Sequence, residues 1–394
     1  MIILGTNSIK ATGFDVANSC RFNSGSSDYL NRTPSSSGNR RTWTFSTWFK
    51  RGNIGSSQWI LDAYGGSSDE FHIYISSGNA IGIYTTGGGF GSNLSISTNN
   101  LVRDVSAWYH LVVRCDTTQS TASDRLRIYL NGVEATYGTY NNFTENGEGQ
   151  VNEASTKHWL GRRNAGDHFD GYMAETVLVD GLSLAPTSFG EFDSASPTVW
   201  KPIDVSGLTF GTNGFYLDYE DSSNLGNDAN GGTDFTEANL AATDQSTDTC
   251  TNNFATIGTL FTGVNSPTYS EGNLQSYSNA AFTSVIPSSM GFASGKWYVE
   301  LKYAATTSND NTGIGIGHDP TRANQANTDQ GGYSINYYAS NGYIDLYGSS
   351  GGTFSSYTVG NIIGIYMDID NKKLYFAKNG VIQNSGTGLN ITTS

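Results

Sequence analysis

Tyr333, Tyr337, Tyr338, Tyr343 and Tyr347 fall close together near the C-terminal end of the chain. Phenol rings offer flat faces on which a sugar or peptide can stack with little loss of side-chain entropy. The five flank two predicted strands, where alternation sends part of any such set into the core. Tyr337, Tyr338 and Tyr343 are the candidate ligand-binding residues. Residues for catalysis are harder to assemble. His72, His110, His158, His168 and His318 are scattered, and neither a Gly-x-Ser-x-Gly elbow nor a His-Glu-x-x-His pair is present. His110 lies inside the apolar run Trp108 to Cys115 and reads as a structural histidine. Glu191-Phe192-Asp193 places two carboxylates on one face of an extended segment, the geometry a glycosidase would need. Gly313-Ile314-Gly315-Ile316-Gly317 is followed by no helical pattern, so it reads as a buried strand and not as a nucleotide loop. Cys20, Cys115 and Cys250 have no metal-ligand spacing and read as buried thiols.

The elements that would position these residues are strands. With 48 Gly, 23 Tyr, 12% aromatic and only 14% charged residues, the 394-residue chain is rich in turn and strand formers. No window holds a clean i, i+3, i+4, i+7 apolar pattern, whereas alternation recurs at Thr42 to Phe49 and at Glu70 to Ile75. One unit appears twice: His110 to Asp116 leads to Leu126–Leu130 and Asn131-Gly132, and Ile362 to Asp370 leads to Leu374 to Lys378 and Asn379-Gly380. Asn-Gly suits a type I′ hairpin turn, which needs positive φ at both central residues.

The fold class is therefore all-β, with two antiparallel β-sandwich (jelly-roll) domains joined by a Gly/Asn/Asp-rich linker. The expected boundaries are residues 1–220 for the first sandwich, 221–262 for a polar linker and 263–394 for the second. Asp221, Asn224, Asn227 and Asp228 offer oxygen ligands but lack the bidentate Glu of a calcium loop, so the segment reads as solvated. A net charge of −14 repels a phosphate backbone, so no nucleic-acid partner is expected. No run approaches 18 apolar residues and Met1 to Gly5 lacks the features of a signal peptide, so no membrane insertion is expected.

Thr44 to Lys50, Trp108 to Val113, Ile128 to Gly132 and Phe169 to Glu175 resemble, in order, the strand set of laminin-G-like and pentraxin-like domains of the concanavalin A-like superfamily. Gly295 to Tyr303, Thr312 to Gly317, Tyr333 to Tyr337 and the Asp370 to Val381 hairpin are similar to the SPRY (B30.2) domain, although only Ile382 to Ser394 remain to close that sandwich. The first resemblance implies a binding module that carries, in some members, one rim calcium ion, for which Asp62 and Asp69 are the candidate ligands; no other cofactor is implied. It also tests the carboxylates, because the related glucanases add a third one where Ser196 stands, and Glu175, Asp180 and Asp218-Tyr219-Glu220 fail likewise. The protein is expected not to be an enzyme.

The whole arrangement, with Ser26 to Pro34, Gly214 to Tyr219 and Asn224 to Asp228, looks like structural proteins of tailed phages of marine bacteria. That resemblance implies a virion protein, a tail fibre or spike or a capsid-surface appendage. Its expected partners are other virion proteins, further copies of itself and a host-surface glycan. A purely architectural virion protein and a polysaccharide depolymerase are the alternatives.

Overall fold

The computed structural model describes residues 13–66, 68–91, 93–259, 267–277, 286–304, 312–317 and 334–391. It is almost entirely β, with 45% strand and 4% helix, and its sheets are antiparallel. The described residues form two compact units, one of those in 13–253 with 270–272 and one of those in 254–269 and 273–391. Both repeated hairpins turn as their sequences require, with positive φ at Asn131 and Gly132 and at Asn379 and Gly380.

The first unit packs two eight-stranded sheets face to face. The first sheet runs in the order Val133–Glu134, Leu126–Leu130, Trp108–Asp116, Thr42–Arg51, Gly171–Asp180, Ser19–Phe22 and Gln245–Ser246, with Phe215–Leu217 also paired to Gly171–Asp180. The second runs Tyr137–Tyr140, Leu94–Leu101, Ala80–Thr86, Asp69–Ile75, Gln58–Gly66, Lys157–Leu160, Tyr29–Arg32 and Thr236–Ala238. Between them lies a core of Phe45, Phe49, Ile60, Phe71, Ile73, Ile83, Leu111, Val113, Ile128 and Leu160. Core residues alternate with ones facing outward, as the pleat of a strand requires, except at the irregularity that puts Ile60 and Leu61 in the core together.

The expected solvated linker at 221–262 is corrected by the structure over its first part. Leu225 and Phe235 are buried in the core of the first unit. Thr236–Ala238 pairs with Tyr29–Arg32, and Gln245–Ser246 pairs with Ser19–Phe22. Ser19–Phe22 and Tyr29–Arg32 are thus covered, one in each sheet, which removes open templates for strand addition. Composition hid this because the Asp and Asn side chains serve the backbone and not the solvent. Asp228 Oδ1 accepts from the amides of Tyr216 and Asn230, and Asp234 Oδ1 accepts from the amide of Asp228.

Arg32 fastens this segment. Its guanidinium lies 4.9 Å from the ring centroids of both Phe215 and Phe235, and it donates to the carbonyls of Asn213 and Thr233. Replacing Arg32 by Met is expected to lower the unfolding free energy by about 2–3 kcal/mol, combining lost cation–π contacts with carbonyls left unpaired. A urea titration measures the loss, and faster proteolysis within 220–240 should accompany it.

The second unit is also a sandwich. A five-stranded sheet orders Lys296–Lys302, Ile362–Asp368, Lys373–Lys378 and Val381–Ile382, with Leu389–Asn390 on Lys373–Lys378 as well. A four-stranded sheet orders Gly313–Gly317, Ser334–Tyr338, Tyr343–Leu346 and Ser349–Thr353. Ile335, Tyr337, Ile344, Tyr357, Ile363, Ile365, Leu374 and Phe376 fill the space between them. The residues after the Asn379-Gly380 turn supply the closing edge: Val381–Ile382 and Leu389–Asn390 both pair with Lys373–Lys378, and Ile391 packs against the core.

Candidate functional site

The two sheets of the first unit differ in what covers their outer faces. On the first sheet, Trp48, Trp108, Tyr172 and Ala174 are sealed under Val16, Trp200 and Cys250. Val112, Tyr129, Val177, Val179 and, on the paired strand, Tyr216 are sealed under Phe189, Val205 and Phe210. Lys50 projects from this face, wholly buried, with its Nζ 2.8 Å from Asp248 Oδ2 and 2.8 Å from Asn253 Oδ1. Trp108 Nε1 donates to the other oxygen of Asp248 at 3.0 Å.

The outer face of the second sheet carries aromatic side chains on five consecutive strands: Tyr84, then His72 and Tyr74, then Trp59 and Tyr64, then Trp159, then Tyr29. Their neighbours in sequence, Ile83, Ile73, Phe71, Leu160 and Leu30, point into the core. Register brings the outer rings together. Trp59 stacks on Tyr74 with centroids 5.5 Å apart, His72 stacks on Tyr84 at 5.8 Å, and Tyr64 meets Trp159 at 6.3 Å. Gly82 makes room for this: a Cβ there would fall 2.5 Å from the Tyr74 ring, so only glycine lets that ring lie across the strand. Trp59, His72 and Trp159 form the buried floor, and Tyr29, Tyr64, Tyr74 and Tyr84 are half-buried. Five strands at their usual spacing give a strip about 19 Å long.

Polar groups are fixed in and around the strip. Asp62, buried on the same face, lies 2.8 Å from His72 Nδ1 and accepts the Asn164 amide at 2.6 Å, while His72 Nε2 lies 3.1 Å from Glu70. Cations cover three rings: Arg162 lies 4.5 Å from Tyr29, Arg163 5.3 Å from Trp59 and Lys157 5.2 Å from Trp159. Among the described residues the buried Trp59 indole N–H has no hydrogen-bond partner, a donor in the floor. Stacked rings beside fixed donors and acceptors can bind a ligand with apolar faces and hydroxyl edges.

The residues singled out in the sequence fall in several places. Asp62 and Asp69 sit on one hairpin, where Asp62 pairs with His72 and Asp69 with Gly66. That register separates the two positions by four residues of strand, about 13 Å, so they do not form a pair. Among the described residues no group of three or more His, Cys, Asp or Glu side chains could hold a metal ion. Tyr337 is a core residue and not a surface ligand: it is fully buried against Phe354, Tyr357 and Phe376, because its position alternates inward with Ile335. Tyr338 and Tyr343 are brought together on the outer face of the four-stranded sheet, with ring centroids 6.2 Å apart. Tyr347 packs against the core, and Tyr333 and His318 lie outside the described residues. Lys201 lies 3.2 Å from Glu191 and 3.7 Å from Asp193, so a cation occupies that carboxylate pair. The three cysteines are buried and free.

His110 is held in a form unsuited to activating its neighbour. Trp200 Nε1, which can only donate, bonds to His110 Nδ1 at 2.9 Å, so Nε2 carries the proton and donates to Ser46 Oγ at 2.9 Å. Burial lowers its pKa to about 3.

Glu175 lies in a bulge where Glu175 and Thr176 together oppose Thr47, and its φ is 49°. Burial pushes its carboxyl up to about 8 from an ordinary 4.5, against the opposing effect of the hydrogen bond donated by the Tyr216 hydroxyl at 2.8 Å. The folded chain therefore binds a proton that the unfolded chain has released, and stability falls as pH rises from about 4.5 to about 8. His110 and His158, lowered by burial to about 3 and about 4, act oppositely below their ordinary 6.5, so the fall is clearest between 6.5 and 8. In that window Glu175 is expected to contribute a slope approaching about 1.4 kcal/mol per pH unit, and Glu175→Gln to remove it, as read from urea titrations at several pH values.

Residues 24–184 match the family model described as concanavalin A-like lectin/glucanases superfamily. That part of the chain is similar to concanavalin A-like, laminin G-like domains. No curated protein matches the chain in sequence. Among solved structures, a Bacteroides ovatus protein described as a candidate carbohydrate binder is 13% identical with a TM-score of 0.40; the match covers 57% of this chain and 58% of that one. The pentraxin of Limulus polyphemus is 15% identical over 44% of this chain and 80% of its own, with a TM-score of 0.32. Domains LG4-5 of the mouse laminin α1 chain are 11% identical over 98% of this chain and 83% of theirs, with a TM-score of 0.34. Among the described residues no helix is long and apolar enough to cross a membrane.

Proposed function

We propose that this chain is a non-enzymatic binding protein that takes host-surface glycans on the outer face of the second sheet of its first unit. The observation that carries the reading is the strip from Tyr84 to Tyr29, where aromatic side chains recur on five adjacent strands of a face that the chain leaves partly open, with Trp59 stacked on Tyr74 and His72 on Tyr84. Pyranose rings present a C–H face to an aromatic ring and hydroxyls at their edges. Tyr74 and Tyr84 would supply the stacking surfaces, and Arg162, Arg163, Lys157 and Glu70 would meet the hydroxyls. The lectin-like family of residues 24–184 supports a binding role at the level of fold. The tautomer imposed on His110 and the ion pairing of Glu191 and Asp193 leave neither set arranged for hydrolysis.

The setting belongs to the same reading: a virion component of a tailed phage, either a tail fibre or spike or a capsid-surface appendage, assembled with other virion proteins and with further copies of itself. It is supported by the resemblance to such proteins of the Ser26 to Pro34, Gly214 to Tyr219 and Asn224 to Asp228 segments and of the arrangement of a laminin-G-like sandwich followed by a SPRY-like one. A glycan array probed with the full chain is expected to give signals for a restricted set of saccharides. An array without signal would overturn the recognition role.

A further inference from the structure

The five-stranded sheet of the second unit has an outer face of its own. Val299, Leu301, Ile363, Ile365, Leu374 and Phe376 point into the core, so Tyr298, Tyr366 and Tyr375 point away from it. Register places these three directly opposite one another, Tyr298 beside Tyr366 and Tyr366 beside Tyr375. Tyr298 and Tyr366 have ring centroids 4.3 Å apart, and all three side chains are half-buried.

Two glycines provide the floor. A Cβ on Gly364 would stand 3.2 Å from the Tyr298 ring and 3.3 Å from the Tyr366 ring, and one on Gly388 would stand 2.7 Å from the Tyr375 ring. The rings lean over backbone that carries no side chain, the device that also seats Tyr74 over Gly82. Polar groups border the row. The Tyr298 hydroxyl donates to the Glu300 carboxylate, Lys296 lies 3.3 Å from Asp368, and Lys373 Nζ donates to Asn390 Oδ1 at 2.6 Å.

We propose that this face is a second saccharide-binding platform, on which Tyr298, Tyr366 and Tyr375 stack a neutral oligosaccharide lying across the strands. Three aromatic side chains at strand spacing extend about 10 Å, the length of roughly two sugar rings. The occupant follows from the composition of the face. Both signs of charge border the tyrosines at close range, which disfavours an apolar protein surface and gives an ionic ligand no single-signed field to follow. Hydroxyl groups can pair with either sign.

The test uses the full chain carrying Tyr74→Ala and Tyr84→Ala, so that the face in the first unit is disabled. Cellohexaose, mannohexaose, xylohexaose and maltohexaose are titrated into it by calorimetry. At least one is expected to bind, and Tyr366→Ala to weaken that binding about tenfold, the effect of losing one stacking ring. Tyr366→Phe should retain it. Gly364→Val, which removes no aromatic ring but lifts two from their seat, should weaken it comparably, and this variant decides the matter if Tyr366→Ala disturbs the near-ultraviolet circular dichroism. Binding of none of the four sugars, or binding unchanged in both Tyr366→Ala and Gly364→Val, overturns the proposal. Neither result bears on the face of the first unit, which is tested with Tyr74 and Tyr84 intact.

Discussion

Lys50→Met is expected to destabilise the first unit by about 3–5 kcal/mol, the cost of leaving one member of a buried ion pair without its partner. Lys50 is fully buried, and burial holds its ammonium below the ordinary lysine value even with Asp248 alongside. The loss falls on the join between two parts of the chain. Asp248 follows the Gln245–Ser246 strand, its carbonyl accepts from Ser19 Oγ at 2.6 Å, and its carboxylate also holds the Trp108 indole. In Lys50→Met that carboxylate keeps the indole but loses its cation. Combining Lys50→Met with Asp248→Leu should recover part of the stability, because an apolar pair of similar volume needs no compensation for desolvated charge. Equal urea midpoints for the parent chain and Lys50→Met would show that the Lys50–Asp248 pair adds nothing to stability.

The second large effect is on binding. Tyr74→Ala is expected to weaken glycan binding about tenfold, and Tyr74→Ala with Tyr84→Ala about a hundredfold, if each ring contributes about 1.4 kcal/mol of stacking. These two are chosen because they are half-buried; Trp59 and Trp159 are floor residues whose removal would also open cavities. Near-ultraviolet circular dichroism should show the remaining aromatic packing undisturbed. Salt should change the affinity little for a neutral glycan, since stacking carries no net charge.

Much of the fold was legible in the chain. Alternation at Thr42 to Phe49 and at Glu70 to Ile75 marked real strands, and the Asn-Gly pairs marked real turns. Residues 221–253 were not legible as part of the sandwich, because two buried apolar residues, Leu225 and Phe235, stand among carboxylates and amides whose task is to satisfy backbone amides. The candidate site was even less accessible. Its side chains lie between Tyr29 and Trp159 in sequence and meet only through sheet register, although one signal was available: aromatic residues at the alternate positions that oppose Ile and Leu on each strand. The C-terminal tyrosines were conspicuous for the opposite reason. They are close in sequence, and alternation then divided them, with Tyr337 inward and Tyr338 outward.

In this account the outer face of the second sheet binds saccharide. A side-by-side glycan array of the parent chain and the Tyr74→Ala, Tyr84→Ala double variant tests it most directly. The expected result is a restricted set of glycans retained by the parent and largely lost by the variant at equal folded concentration. Identical signals from the two proteins, or none from the parent, would contradict it.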